Sequence, residues 1–502
     1  MNKLPISPFS RFHLLTFSVI VTCHLSLVTL FAQADPPLRI ELESAKDQQD
    51  YKLVSLANQG VAVFYQSAIL SLDTAQWVFI HYDTNLVRKN IYKLKIPNLC
   101  QYLAADFSNN KLYLFLQKPA HKKDTLRNYL LEWDVMTPDF QLIDLQNYKH
   151  PNLSSVKVVG DYLFTIVNDS KAMSIFYYNY KTHTKQAIQF AEDEIISIES
   201  FCIDTLFKRT FFCMFLKNKQ GSRAELFTTD YSGNIRNRTV LPFYPDFVYN
   251  SVKISLAGKD SLLLSGGYSL GKDKKARSAY TGIFTLIYAK NRFSEILTYP
   301  FGALLTNVSG LNTKQFSEPN VSMNTHITQS NGKIFAITEL FYPEYQYSSS
   351  SYNSYRSYRY YGYDPPTQIF SGYRFINACI LEFDTQGLLL NEWLFPINYA
   401  LTQSLYNLVN LYQDADENTL IYYAWQKEVT SQFVNGKQVL AAHAAIPIVL
   451  MNKSDVAEYS SHLSMRNWYN NNFLLSGYQY IKSSQRGKGK RYVFFINKLV
   501  CE

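Results

Sequence analysis

The stretch LLLSGGY at 262–268 decides the fold, because it returns near the end of the chain as FLLSGY at 473–478. Each copy is followed by a loop rich in Lys and Arg and then by a second apolar stretch, IFTLI at 283–287 and VFFI at 493–496. Similar units of about fifty residues fill most of the chain, and a repeat on this scale predicts a fold built from copies of one supersecondary motif.

Eight such units can be counted, and their hairpin turns carry Asp, Asn and Gly at matching places, as in DTN at 83–85 and DTQG at 384–387. In the seventh unit the predicted strands include 420–425 and 446–451. The units cover 51–97, 98–147, 152–191, 195–244, 250–301, 322–397, 404–460 and 463 to the C-terminus.

The eighth unit lacks a last strand, and LRIEL at 38–42 can supply one by pairing with the C-terminal unit. This arrangement resembles the closure of β-propellers, whose four-stranded blades surround a central channel. The resemblance is architectural, since the sequence has no WD, kelch or Asp-box signature. It implies an all-β propeller of eight blades, with seven as the alternative count.

An outer-membrane β-barrel is the alternative fold, since it also alternates short turns with long loops. Barrel strands place apolar residues on one face and polar residues on the other. The stretches at 262–264 and 494–496 are instead apolar at every position, which is typical of strands buried between two layers. The pattern therefore favours the propeller.

The first 34 residues have the features of a secretory signal peptide. Lys3 and Arg11 precede an apolar run at 14–31, and AQA at 32–34 fits the small-x-small cleavage rule. We therefore expect cleavage between Ala34 and Asp35, a single propeller domain over 35–502, and export to the periplasm, the cell surface or the medium. An uncleaved anchor is the alternative; no transmembrane span is expected in the mature chain.

Five cysteines follow the predicted cleavage site, so at least one is unpaired within a monomer. A two-residue turn at Phe207 and Lys208 would place Cys202 directly opposite Cys213. Facing residues of an antiparallel pair are close enough for a cross-strand disulfide. Two buried thiols are the alternative.

The loops between the second and third strands of four units are strongly basic, in a chain whose formal net charge is +9. Equivalent loops of a propeller project from one rim, where clustered cations attract anionic ligands. The alternative is that these charges only maintain solubility and protect strand edges. The candidate ligand-binding residues in these loops are Lys122, Lys123, Arg127, Lys217, Lys219, Arg223, Lys274, Lys275, Arg277, Arg486, Lys488, Lys490 and Arg491.

The sixth unit has a Tyr/Ser-rich insertion at 342–373 in place of a basic loop. Tyr offers a large amphipathic contact area at low entropic cost, and Arg adds bidentate contacts to carboxylate, sulfate or phosphate. A low-complexity segment without a ligand is the alternative. The candidate binding residues here are Tyr355, Arg356, Tyr358, Arg359, Tyr360 and Tyr361.

Motifs of known enzyme classes are absent from the sequence, including H-E-x-x-H, G-x-S-x-G and the P-loop. We therefore predict no metal and no cofactor, and we assign no catalytic residues. The predicted role is an exported binding or scaffold protein that holds an anionic or carbohydrate-bearing partner, an acidic glycan or a protein. Nucleic acid is not expected for an exported chain. The alternatives are a glycosidase or lyase acting on a polysaccharide, and a structural component of a cell-envelope assembly.

Overall fold

The structure, a computed structural model, is almost entirely β in the part of the chain that it describes. Within that part, 35 strands form eight antiparallel sheets, the arrangement of an eight-bladed β-propeller. Residues Ala57–Gln59 form a short 3-10 helix. The fold class predicted from the repeat is thereby confirmed. The described residues are 38–45, 51–120, 126–146, 153–169, 172–188, 194–218, 221–271, 280–304, 322–330, 332–347, 368–397, 400–484 and 489–500.

The chain divides into two compact units. The first comprises Met1–Asn98, Tyr422–Val434 and Val439–Glu502, and the second comprises Leu99–Ile421 and Asn435–Gln438. We number the sheets in chain order. Sheets 1 and 8 belong to the first unit, sheets 2 to 6 belong to the second, and sheet 7 has residues in both.

Five whole sheets lie in the second unit, and in sheets 2 to 4 each strand pairs with the next one along the chain. Sheet 2 has β6 (Gln101–Ser108), β7 (Lys111–Lys118), β8 (Arg127–Asp134) and β9 (Asp139–Asp144). Sheet 3 has β10 (Leu153–Val159), β11 (Tyr162–Asp169), β12 (Ala172–Asn179) and β13 (Thr184–Ala187). Sheet 4 has β14 (Glu194–Asp204), β15 (Arg209–Asn218), β16 (Gly221–Asp230) and β17 (Ile235–Val240). Sheet 5 has β18 (Phe247–Tyr249), β19 (Lys253–Gly258), β20 (Ser261–Leu270), β21 (Gly282–Ala289), β22 (Arg292–Phe293) and β23 (Leu297–Pro300). Sheet 6 has β24 (Ser322–Ser330), β25 (Lys333–Tyr347), β26 (Gln368–Phe383), β27 (Leu389–Pro396) and β28 (Leu401–Thr402).

The remaining sheets have four strands each. Sheet 1 has β2 (Lys52–Ser55), β3 (Val61–Ile69), β4 (Thr74–Tyr82) and β5 (Arg88–Pro97). Sheet 7 has β29 (Asn410–Gln413), β30 (Thr419–Trp425), β31 (Glu428–Asn435) and β32 (Gln438–Pro447). Sheet 8 has β1 (Arg39–Glu43), β33 (Val456–Tyr469), β34 (Asn472–Lys482) and β35 (Lys490–Val500).

The apolar core lies between neighbouring sheets, which explains why the central strands are apolar on both faces. In β20, all residues from Leu262 to Ser269 are buried, whereas the outer strand β17 has no buried residue. Between sheets 4 and 5, Phe211 and Leu226 pack with Leu264 and Phe284 in one buried cluster. Strands covered by a sheet on each side lose the alternation of a half-exposed strand.

The N-terminal strand β1 pairs antiparallel with β35, in a register that places Arg39 opposite Asn497. The predicted pairing of 38–42 with the C-terminal unit is therefore observed. The buried Arg39 guanidinium donates to Glu41 Oε1 at 2.7 Å and to Gln479 Oε1 at 2.7 Å, and it lies over the Phe495 ring at 4.4 Å. These contacts join β1 to the central strands of sheet 8.

The predicted register around Cys202 and Cys213 is wrong by two residues. Asp204 pairs with Arg209, so four residues form the turn, and Cys202 lies opposite Phe211. The Asp204 carboxylate accepts the N–H groups of Leu206 and Phe207, which stabilises this longer turn. Both cysteines are free thiols, and diagonal positions of a sheet lie too far apart for a disulfide.

The predicted strand 446–451 is also wrong. The third strand of sheet 7 is β31, which follows β30 after a two-residue turn at Gln426 and Lys427. Gln426 has φ 54°, an uncommon conformation for a residue other than Gly, Asn or Asp. Residues 426–427 therefore include none of the residue types that usually mark a tight turn in a sequence.

Candidate functional site

All of the predicted binding loops join the two central strands of their sheets. The basic loops connect β7 to β8, β15 to β16, β20 to β21 and β34 to β35, and the Tyr-rich segment connects β25 to β26. All except the β34–β35 loop belong to the second unit. The repeat therefore places these four loops at equivalent ends of their sheets.

Most of the candidate residues lie outside the described part of the chain. Lys217 is in β15, but its side chain is not among those described. The candidates outside the described residues are Lys122, Lys123, Lys219, Lys274, Lys275, Arg277, Tyr355, Arg356, Tyr358, Arg359, Tyr360, Tyr361, Arg486 and Lys488.

Three of the described candidate cations form ion pairs within the protein. Arg223 Nε donates to Oε1 of the buried Glu225 at 2.5 Å. Lys490 Nζ donates to Glu458 Oε2 at 2.8 Å. Arg491 Nη2 donates to Asp455 Oδ2 at 3.1 Å, and the same guanidinium contacts the Glu41 carboxylate. These three residues stabilise the sheets, so their charge is less available to a ligand than the sequence suggested.

Arg127, the remaining described candidate, is exposed at the start of β8. Its guanidinium hydrogen-bonds to the Tyr129 hydroxyl. Burial raises the pKa of Tyr129, and this contact opposes the rise. Arg127 therefore presents its charge at the edge of the sheet 2 loop.

The Tyr-rich segment is carried on the longest hairpin of the described chain. Strands β25 and β26 have 15 and 16 residues, and they stay paired as far as Tyr347 and Gln368. Their neighbour β24 pairs only as far as Phe341, and β27 only as far as Asn377. Residues 342–347 and 368–376 therefore extend beyond β24 and β27 as a hairpin, which we call the arm; the short strand β28 pairs with β26 at the base of this hairpin.

A row of four aromatic rings runs along the arm. Phe341 contacts Tyr373 with ring centroids 5.5 Å apart, Tyr373 contacts Phe370 at 5.1 Å, and Phe370 contacts Tyr345 at 5.7 Å. Phe341 is buried, whereas Phe370 is 41% exposed and Tyr345 is 49% exposed. The row therefore leads from the core of sheet 6 to an exposed aromatic surface next to the Tyr-rich segment.

The arm is stabilised by one ion pair and one short strand. Arg374 Nη2 donates to Glu344 Oε1 across the two strands at 2.6 Å, and this hydrogen bond lowers the pKa of the Glu344 carboxyl. Strand β28 pairs with Tyr373 and Arg374. Gly372 has φ +142°, and a Cβ there would lie 2.4 Å from the Thr402 carbonyl oxygen, so only glycine permits this contact.

A second polar cluster lies on β14 of sheet 4, β19 of sheet 5 and β24 of sheet 6. In sheet 5, β18 and β19 together take the place of the first strand, because both pair with β20. Strand β14 lies beside β19, and β19 lies beside β24. These strands carry Glu199, Lys253 and His326, and each of the three residues is partly exposed. Lys253 Nζ donates to the backbone oxygen of Glu199 at 2.9 Å. The topology thus brings together three titratable residues that are far apart in sequence.

Glu339 lies in β25, the strand that pairs with β24, and is fully buried. Its Oε1 accepts the N–H groups of Leu408 at 2.7 Å and Val409 at 2.5 Å, and its Oε2 accepts Asn324 Nδ2 at 3.1 Å. Burial raises the pKa of Glu339 to about 7, although these donors oppose the rise. The carboxyl therefore fixes Leu408 and Val409, which lead into sheet 7, and its role is structural.

Sequence reasoning singled out neither Phe370 nor the cluster of Glu199, Lys253 and His326. One signal was present in the sequence, because SVKV at 155–158 returns as SVKI at 251–254 and marks equivalent first strands. No feature of the sequence indicated Phe370, because its contacts with the Tyr345 and Tyr373 rings depend on how far the β25–β26 hairpin extends.

Among the residues that the structure describes, no group of three or more His, Cys, Asp or Glu side chains is placed to hold a metal ion. Likewise, no described helix is long and apolar enough to cross a membrane.

No known protein family and no curated protein matches the sequence. Several solved structures are similar in architecture. The polysaccharide lyase Uly1 is 9% identical, with 80% of this chain and 90% of that chain covered and a TM-score of 0.42. The β-propeller domain of the Trilobed protease from Pyrococcus furiosus is 9% identical, with coverage of 81% and 96% and a TM-score of 0.36. A eukaryotic initiation factor is 10% identical, with coverage of 89% and 98% and a TM-score of 0.41. Likenesses this distant carry no argument about activity.

Proposed function

We propose that this protein is exported after cleavage between Ala34 and Asp35 and binds an anionic or carbohydrate-bearing partner through the arm and the basic loops. The aromatic row of the arm carries this proposal. Exposed aromatic faces bind apolar faces of a partner at low entropic cost, and the Tyr hydroxyl adds a polar contact.

The basic loops support the same role. Four of the five loops belong to the second unit and leave equivalent positions of their sheets, which supports the proposal that their Lys and Arg residues act together with the Tyr-rich segment. Clustered cations raise the local concentration of an anionic partner and speed its association. The combination of aromatic and cationic groups suits an acidic glycan.

The experiment measures the affinity of residues 35–502 for immobilised heparin and for a glycan array across a salt series. The test variant is Tyr345→Ala combined with Phe370→Ala, and the matched control is Ile369→Ala. Ile369 is 55% exposed and lies on the opposite face of β26 from Phe370. We expect the double variant to bind at least about tenfold more weakly, because loss of an aromatic anchor costs about 2 kcal/mol.

Salt-independent binding, or equal affinity of the double variant and the control, would overturn the proposal. The basic loops are tested separately with Lys488→Glu and with Lys274→Glu, which should reduce affinity mainly at low salt. Arg491 is unsuitable for this purpose, because it pairs with Glu41 and Asp455 and its replacement would disturb sheet 8.

A further inference from the structure

The cluster on β14, β19 and β24 contains a cation and an anion that do not pair with each other. Lys253 directs its ammonium to the backbone oxygen of Glu199. The Glu199 carboxylate accepts only the Ser197 hydroxyl, at 2.6 Å, among the contacts of the described chain. Among the described residues these are the contacts of the two side chains and no ion pair is found for either, although unpaired charges on partly buried side chains are unfavourable.

The equivalent position in sheet 3 shows how this motif is satisfied elsewhere. Lys157 occupies the same place in SVKV at 155–158 as Lys253 in SVKI at 251–254. Lys157 Nζ donates to Asp106 Oδ1 at 2.8 Å, and Asp106 Oδ2 accepts the N–H of Val158 at 3.0 Å. In sheet 5 the corresponding N–H, that of Ile254, donates to Ser200 Oγ at 3.2 Å. A neutral serine thus stands where the other copy has the counter-ion.

His326 supplies a second, independent observation. Its Nδ1 is buried and has no hydrogen-bond partner among the described residues. Burial lowers the pKa of His326 to about 4, with a further contribution from the Lys253 charge, so the ring is neutral at pH 7. Within the described chain this ring nitrogen is therefore available to hydrogen-bond to a ligand.

Tyr280 lies close enough to Glu199 to sense its charge. The N–H of Met323 donates to the Tyr280 hydroxyl oxygen. Burial raises the pKa of Tyr280, and Glu199 raises it further, so the hydroxyl keeps its proton at neutral pH. The cluster therefore offers an ammonium group, an imidazole nitrogen, a phenol hydroxyl and a carboxylate.

We propose that Lys253, His326 and Glu199 bind a small zwitterion of the size of an α-amino acid. The ligand carboxylate would lie against Lys253 and His326, and its ammonium against the Glu199 carboxylate. Each ligand charge would meet a protein charge that has no ion-pair partner among the described residues, and the binding involves no covalent step. This site is separate from the arm, so it does not rest on the glycan proposal.

The experiment is a calorimetric titration of residues 35–502 with each common α-amino acid, with acetate and with methylammonium. We expect at least one amino acid to bind saturably, and neither single-charge probe to bind as tightly. Lys253→Met and Glu199→Gln should each weaken binding at least about tenfold, because removing one partner of a partly buried charge pair is costly. Lys253→Arg keeps the charge and should retain binding if Lys253→Met fails to fold.

Lys157→Met is the matched control, since it removes the equivalent lysine that already has an internal counter-ion. Its affinity for the amino acid should equal that of the unmodified protein. Absence of binding by every amino acid at millimolar concentration would overturn the proposal. So would equal binding of acetate, which would show a simple anion site, or equal weakening by Lys157→Met, which would show a general effect on the first strands.

Discussion

Replacement of Arg39 by Ala should release the N-terminal strand from sheet 8. The Arg39 side chain is fully buried, and its guanidinium donates to Glu41, Gln479 and the backbone oxygen of Val449. Arg39→Ala would leave the buried Glu41 carboxylate with Arg491 alone and would remove the donor to Gln479 Oε1. Breaking a buried ion pair by removal of one partner costs about 3–5 kcal/mol. We expect a loss near the lower end of that range, because Arg491 remains.

Hydrogen–deuterium exchange of the β1 and β35 amides measures this loss directly. A local stability change of about 3 kcal/mol corresponds to roughly 150-fold faster exchange, since each tenfold step is worth about 1.36 kcal/mol. Amides of sheets 2 to 6 should be unaffected. Arg39→Lys should have an intermediate effect, because an ammonium keeps the charge but cannot reproduce the planar fork of donors.

Lys490→Met is the control for this experiment. Lys490 also forms an ion pair in sheet 8, with Glu458, but on the exposed surface. Exposed pairs contribute little to stability, so exchange at β1 should not change. The reasoning is refuted if Arg39→Ala leaves β1 exchange at the level of this control, since the buried network would then not be what holds the strand.

Three further predictions concern sheet 6. Glu339→Ala should destabilise the protein by about 2–4 kcal/mol in urea unfolding, because it leaves two buried N–H groups without an acceptor, whereas Glu339→Gln should cost clearly less. The pKa of Glu339 is raised to about 7 from the usual 4.5, so its contribution to stability is present below pH 4.5 and lost as pH rises to 7. The pKa of His326 is lowered to about 4 from 6.5, so its contribution is present above pH 6.5 and lost as pH falls to 4. The two effects oppose each other, so Glu339→Gln should lose stability more steeply than the parent on acidification, and parallel profiles would contradict this account. Gly372→Val should weaken the arm, seen as faster trypsin cleavage at Arg374 than in Gly302→Val, because a Cβ at Gly372 meets a carbonyl oxygen whereas Gly302 has open space.

The strand repeat could be read from the sequence because its cause is local. Central strands such as β20 lie between two sheets and must be apolar on both faces, and this requirement leaves a continuous run of Leu. The hairpin register at Cys202 was not predictable in the same way. It depends on a four-residue turn that the Asp204 side chain stabilises, and the amino-acid sequence of this segment is also compatible with a two-residue turn.

The sequence predicted where along the chain the candidate binding surface lies, but not which side chains form it. The abundance of Tyr in 342–373 is visible in the sequence, but the aromatic row requires knowing that β25 and β26 stay paired beyond their neighbours. The ion pairs of the predicted cations could not be read from the sequence. Lys490 in β35 pairs with Glu458 in β33, and Arg223 pairs with Glu225, two residues further along β16.

Equivalent strands in the sheets of a repeat protein can be compared with one another, and this comparison identifies both proposed sites. Requirements of folding apply to every sheet, so a feature shared by equivalent strands is most simply explained by stability. The Lys157–Asp106 pair joins sheets 2 and 3, whereas Lys253 of sheet 5 has Ser200 at the position of the counter-ion. The arm departs from the other sheets in the length of its central strands. The repeat itself requires neither feature, and binding is a physical role that would account for both.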